Sequence, residues 1–229
     1  MLMAKENKIN VVRSSSIKSF LEKKKDQGFV ISALNLFMLG YLLRNKEFIN
    51  KSYFWCDGIM GVFFLYLKGE SITKLRGPNF IKEVLSYFDG KNICVLGNLQ
   101  DNSKAAIEKY NIKIIQHIPF ENFDIKKFEL FDIESNIIIC TLPSPKQEDL
   151  SIIISKLNPD VKFFCVGGAV EMISDSSLDC PDYLQKLGLE FLFRLKHDFI
   201  RRITRLIKSF ILLLINSPFI LKSKVKIDE

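Results

Sequence analysis

The chain has 229 residues, with 33 Lys and Arg against 26 Asp and Glu for a net charge of +7, and 48% of its residues are hydrophobic. That much apolar side chain, including 20 Phe, excludes a disordered chain, and 11 Gly with 7 Pro excludes a collagen-like or linker-dominated one. The length suits one domain, or one domain with an appendage, and no internal period suggests a solenoid.

The N-terminal stretch through Gln27 has no apolar core of about 7 to 15 residues followed by a cleavage site, so no signal peptide is expected. An apolar run over 29–32 predicts a strand, and Asn35 opens a helical stretch to about Lys46. A second strand over 53–56 stops at Asp57-Gly58, with the apolar segment 59–67 behind it. Gly77-Pro78 opens a helix over 79–88. A buried strand over 92–96 ends in Gly97 and leads into a polar helix over about 102–110. Runs at 112–115, 136–140 and 161–166 continue the strand series, with a helix over 146–157 before the last. Short continuous apolar runs alternating with helices predict a mainly parallel sheet covered on both faces, an α/β fold of Rossmann-like type.

The charge is unevenly placed. From Lys186 to Glu229 there are ten Lys and Arg against four Asp and Glu, a balance of +6, which leaves 23 against 22 in the first 185 residues. A neutral body with a basic tail argues against a nucleic-acid groove in the main domain. The five cysteines form no CxxC and no Cys/His cluster, so they read as reduced thiols in a cytosolic protein and no structural zinc is expected. The apolar stretch after Phe210 is broken at Asn216-Ser217-Pro218, too short for the roughly 20 residues of a membrane span.

In sheets of this kind ligands bind beyond the carboxyl ends of the strands. Those ends carry Asn35, Asp57-Gly58, Gly97-Asn98, 143–148 and Gly167-Gly168. Gly at such a junction lets backbone amides approach an anionic group. Neither GxGxxG nor GxxxxGK[ST] is present, so no dinucleotide fingerprint or P-loop is claimed. Asp57 stands at the mouth of the crevice either as a helix N-cap or as a catalytic acid–base group. Gln147 and Glu148 lie in a first helical turn, where a Glu commonly just complements the dipole. His117, between strand-like segments, and His197, in the tail, make no triad, and no Ser has nucleophile-elbow flanks.

The order of these motifs resembles the WecG/TagA/CpsF family of bacterial glycosyltransferases. The segments are the Asn35 region, Cys56-Asp57-Gly58, Arg76-Gly77-Pro78-Asn79, Val95-Leu96-Gly97, His117-Ile118-Pro119-Phe120, 143–148, Cys165-Val166-Gly167-Gly168 and 187–195. The resemblance implies an inverting transfer, without a cofactor or a metal ion, from a UDP-sugar to a polyprenyl-diphosphate-linked saccharide. It places the enzyme at the cytoplasmic face of the cell membrane, with N-acetylmannosamine-type or other hexose donors. By the same resemblance Asp57 is the general base, and Asn35, Gly58, Gly97 and Gln147 lie on the nucleotide-sugar. Arg194, Arg201 and Arg205 close over its diphosphate. The chain departs from the family pattern at Ala33 (usually Thr), Asn79 (usually an acid), 179–181 (usually Arg-Ala-Pro) and Val170-Glu171 (usually Phe-Asp). These departures leave the donor open and keep a second reading, a catalytically impaired nucleotide-sugar-binding or scaffold subunit of a polysaccharide-assembly complex. The oligomeric state is likewise open.

If 195–215 is helical, Arg201, Arg205 and Lys208 fall within about 40° of Arg194. Phe199, Ile200, Ile203, Leu206, Ile207, Phe210 and Leu214 fall opposite, between about 120° and 240°, while Lys196 and Leu212 break the pattern. A basic stripe opposite an apolar stripe suits a helix lying on an anionic membrane surface or docking on its own domain. The expected division is a Rossmann-like domain over 1–182 and a basic amphipathic appendage over 183–229, and a chain ending near Gly188 is expected to lose both membrane contact and activity.

Overall fold

A computed structural model of the chain describes residues 8–41, 45–119, 133–175, 180–186, 190, 193 and 199–228, without the side chains of Lys46, Asp182, Lys186, Arg201 and Phe219. The described strands are β1 (Lys8–Val12), β2 (Phe29–Leu34), β3 (Ser52–Cys56), β4 (Asn92–Leu96), β5 (Lys113–Ile118), β6 (Ile137–Cys140), β7 (Lys162–Cys165) and β8 (Lys224–Asp228). They form one sheet in the order β5-β4-β6-β7-β2-β3-β1-β8, parallel at every pairing. The expected α/β class with a parallel sheet is the class observed.

Side-chain alternation along each inner strand feeds two cores. In β3, Phe54 and Cys56 point into one and Trp55 into the other, and both cores are buried under helices. On the first face lie α2 (Leu36–Tyr41), α3 (Lys46–Lys51), α4 (Gly58–Leu67), α7 (Lys146–Leu157) and α10 (Phe199–Lys222). On the second lie α1 (Ile17–Lys23), α5 (Gly77–Tyr87), α6 (Asp101–Glu108) and α8 (Ala169–Ser174), where Trp55 stacks on Phe80 with ring centroids 3.8 Å apart. A further short helix, α9, spans Asp182–Lys186. Each fully buried Phe or Ile of these cores contributes about 1.5–3 kcal/mol.

All five cysteines are buried and none is in a disulfide. Burial pushes the Cys56 and Cys94 thiols up to about 12, so these two behave as small apolar core residues.

Several elements depart from the sequence expectation or are not marked in it. The strands β1 and β8 were not foreseen, and β8 brings residues expected in the appendage back into the main sheet, pairing in register from Lys8↔Lys224 to Val12↔Asp228. Segment 59–67 is helical, and His117 lies within β5. The last helix continues through Pro218 to Lys222. Proline cannot give an N–H to the carbonyl one turn back, but the Ser217 hydroxyl donates to that Leu214 carbonyl at 2.9 Å.

The helix α10 packs along α2. A Cβ on Gly40 would lie 3.0 Å from the Ser209 carbonyl oxygen and 3.1 Å from the Leu212 Cβ, so the two backbones meet there. Asn216 donates its Nδ2 to the Gly40 carbonyl at 2.9 Å. The packing face therefore runs through Arg205, Ser209, Leu212 and Asn216, which accounts for Leu212 standing outside the apolar stripe. The stripe itself faces outward: Phe199, Ile200, Ile207, Phe210 and Leu214 are exposed, and Ile203 and Leu206 are half-buried.

Candidate active site

The crevice follows from the topology. The chain leaves β4 through α6 on one face and β6 through α7 on the other, although these strands are neighbours. Their exits therefore diverge, and a cleft opens at their carboxyl ends. Gly97 closes its floor. With φ at +111°, and with Thr141 Oγ1 at 2.7 Å and the Leu142 nitrogen at 2.9 Å from where a Cβ would stand, both its backbone and its surroundings demand glycine. The His117 Nε2 reaches the Gly97 carbonyl at 2.8 Å.

Asn35 and Asp57 stand side by side at the ends of β2 and β3, where Leu34 and Cys56 are in register. The Asp57 N–H donates to the Leu34 carbonyl at 3.1 Å. Asn35 Oδ1 accepts the Met38 N–H at 3.1 Å and so caps α2. Asp57 occupies the N-cap position of α4, yet its carboxylate makes no capping hydrogen bond. The next residue, Gly58, takes φ +77° with open space around its Cβ position, which turns the chain into α4 and leaves the half-buried Asp57 at the carboxyl end of β3, beside Asn35.

Gln147 is locked into the wall. Its Nε2 donates to Ser144 Oγ (2.9 Å) and Glu148 Oε1 (2.8 Å), while its Oε1 accepts the Gly167 N–H at 3.1 Å, tying the β6 exit to the β7 exit. Glu148 lies beneath it with 0% exposure. Its Oε1 also accepts from Ser32 of β2 at 3.1 Å and from Ser144 at 2.9 Å, while Oε2 is buried without a hydrogen-bond partner. Burial raises the carboxyl above the ordinary range, against the opposing hydrogen bonds from Ser144, Gln147 and Ser32. A buried acid that ties β2 to the β6 exit goes beyond the dipole role expected of Glu148.

A second buried polar group stands beside Asp57. The Leu75 N–H donates to the Cys56 carbonyl at 2.8 Å, which brings Lys74 and Arg76 alongside the end of β3. Arg76 is only 8% exposed and donates its Nε to Glu190 Oε2 at 3.1 Å, and Lys74 reaches Glu190 Oε1 at 2.6 Å. Burial works to raise the Glu190 carboxyl, but its two cationic partners prevail and hold it below the usual range. Arg76 and Glu190, from two distant stretches singled out in the sequence, thus meet beside the end of β3. Arg76 was visible as part of a motif, but nothing local marked it as buried and paired.

The sequence model of the glycosyl transferase WecG/TagA/CpsF family matches residues 8–226, from the first strand to the last. The chain belongs to the WecG/TagA/CpsF glycosyltransferase family. No curated protein matches it closely enough to count as a relative.

Of the site residues expected for this glycosyltransferase, the fold gathers Asn35, Asp57, Gly58, Gly97 and Gln147 along the carboxyl ends of the sheet. Arg205 lies on α10, its guanidinium 4.6 Å above the Phe37 ring, two residues beyond Asn35. Arg201 precedes it by one helical turn, with a side chain outside the described set, and Arg194, Phe120, Asp179 and His197 lie outside the described residues. Among the described residues no group of three or more His, Cys, Asp or Glu is placed to hold a metal ion, and no helix is long and apolar enough to cross a membrane.

Proposed function

We propose that this glycosyltransferase moves a hexose, N-acetylmannosamine-type or another, from a UDP-sugar to a polyprenyl-diphosphate-linked saccharide in cell-surface polysaccharide synthesis. It would work without a cofactor or metal, at the cytoplasmic face of the membrane. The observation that carries the reading is Asp57, a half-buried carboxylate at the carboxyl end of β3 beside Asn35 at the end of β2. It takes the proton of the acceptor hydroxyl as that oxygen attacks the anomeric carbon, displacing UDP from the opposite side and inverting the centre. Arg201 and Arg205 of α10, with Arg194, offset the charge that grows on the departing diphosphate. Gly58 and Gly97 keep the backbone open to the nucleotide-sugar, and Asn35 and Gln147 shape its seat. The body over 1–182 binds the donor, and the tail over 183–229 closes the site and meets the membrane. The outward apolar stripe of α10 and the exposed Lys222, Lys224 and Lys226 support that contact with an anionic surface. A chain cut near Gly188 tests it poorly, because the cut also strips β8 from β1.

Replacing Asp57 by Asn tests the chemistry. As general base, Asp57→Asn lowers kcat for UDP release by about 10²–10⁴-fold and leaves the melting temperature near wild type. If Asp57 served the fold alone, turnover would survive and stability would fall instead. If the unaltered protein releases no UDP with any donor and a lipid-linked acceptor, the impaired-subunit reading replaces this one.

A further inference from the structure

Among the described residues, twelve of the fourteen well-exposed large apolar side chains lie on two helices, eight on α10 and four on α4. Those of α4 are Ile59, Phe63, Tyr66 and Leu67, each at least half exposed and spaced to share one helical face. The helix holds no Asp, Glu, Lys or Arg over its ten residues. A patch of this kind marks an interaction surface.

The two helices are parts of one surface. Both cover the same sheet face and feed the same core, with α2 between them. Their carboxyl ends are fastened together, because Lys68, just past α4, donates its Nζ to the Leu221 carbonyl and, at 2.7 Å, to the Ser223 carbonyl at the end of α10. Burial lowers the Lys68 ammonium below its ordinary value, as expected for a cation spent inside such a joint.

We propose that α4 is a second membrane-contacting element, and that α4 and α10 together seat the enzyme on an anionic lipid bilayer. This rests on the membrane reading of α10 given above. The occupant is lipid because the apolar faces are flanked by exposed Lys208, Lys222, Lys224 and Lys226, a basic rim that complements anionic headgroups. Seating α4 has a consequence for chemistry. Its apolar face begins at Ile59, two residues beyond Asp57, so the bilayer brings a lipid-anchored diphosphate to the mouth of the crevice.

The test is sedimentation of the full-length chain with vesicles of phosphatidylcholine containing phosphatidylglycerol, and with phosphatidylcholine alone. The double variant Phe63→Ser/Tyr66→Ser is expected to bind the anionic vesicles at least roughly tenfold more weakly, with an unchanged melting temperature because both side chains are exposed. A Tyr66→Trp variant is expected to show a blue shift on vesicle addition that buried Trp55 does not. Wild-type-like binding by the double variant, alongside loss of binding by Ile211→Glu/Leu214→Glu on α10, overturns the role of α4 and leaves the α10 reading standing. Failure of the unaltered chain to bind any vesicle overturns both. A monomer–dimer equilibrium that the α4 variant shifts, with vesicle binding unaltered, makes a second copy of the chain the occupant instead.

Discussion

Glu190 accepts the Nε–H of Arg76 at 3.1 Å across 114 residues of sequence, and the pair lies alongside the end of β3 that carries Asp57. The Glu190 side chain is 17% exposed and that of Arg76 9%, so the pair is shielded from salt and holds one conformation of the tail against the body.

Glu190→Gln keeps the shape and removes the charge. We expect a loss of about 1–3 kcal/mol, the range for a hydrogen bond to a charged partner whose loss leaves buried groups undercompensated. Because the folded carboxyl sits below its ordinary value of 4.5, its contribution is complete above that pH and is lost as pH falls toward the folded value. Urea melts of both proteins should differ most near neutrality and converge in acid. A gap independent of pH would show that charge is not what binds the tail.

For Glu148 the sign is reversed. Its folded carboxyl is raised above 4.5, so its contribution is complete below that pH and fades as pH rises toward the folded value. Glu148→Gln keeps an oxygen for Ser32, Ser144 and Gln147 and cannot ionise. Its melting temperature should therefore gain on wild type steadily as pH rises above 4.5. Glu148→Ala should lose about 1–3 kcal/mol for each buried donor stranded.

The legibility of this molecule in its sequence follows burial. Strands such as β4 and β6 are apolar on both faces and announce themselves, and the helix over 146–157 was located to the residue. The strands β1 and β8 carry lysines and asparagine because they lie at or next to a sheet edge, and it is the pairing of β1 with β3 and of β8 with β1 that makes them strands. The continuation past Pro218 depends on one serine hydroxyl that outweighs a strong local break signal. At the site, Asn35 and Asp57 were legible because they directly follow apolar runs. The bracing role of Glu148 was not, because it requires Ser32, which lies 116 residues away in sequence, to arrive from β2.

Two glycines of the crevice should respond differently to alanine. At Gly58 the cost is backbone strain alone, about 1–2 kcal/mol, since nothing stands near its Cβ position. At Gly97 the same strain is joined by a clash with Thr141 Oγ1 and the Leu142 backbone, which adds about 1–3 kcal/mol. Denaturant unfolding of the two variants should rank Gly97→Ala as clearly the less stable. Equal losses would mean that the β6 exit yields to Gly97 without cost.

Arg205 of α10 stands over Phe37, which itself stacks on Tyr41 with ring centroids 5.9 Å apart. Tyr41 is in turn held by a short hydrogen bond to Asp149 of α7. If Arg205 meets the donor's diphosphate, Arg205→Ala should raise the donor KM by about tenfold or more, the loss of a charge-assisted hydrogen bond. Phe37→Leu removes the cation–π contact, about 0.5–2 kcal/mol, and leaves the charge in place. It should therefore raise the same KM by a smaller factor, with kcat little changed. Arg205→Lys separates charge from shape, since lysine keeps the charge and cannot reproduce the planar guanidinium. An intermediate KM for Arg205→Lys is the expected order. A donor KM unmoved by Arg205→Ala would detach α10 from donor binding and leave it a membrane and packing element alone.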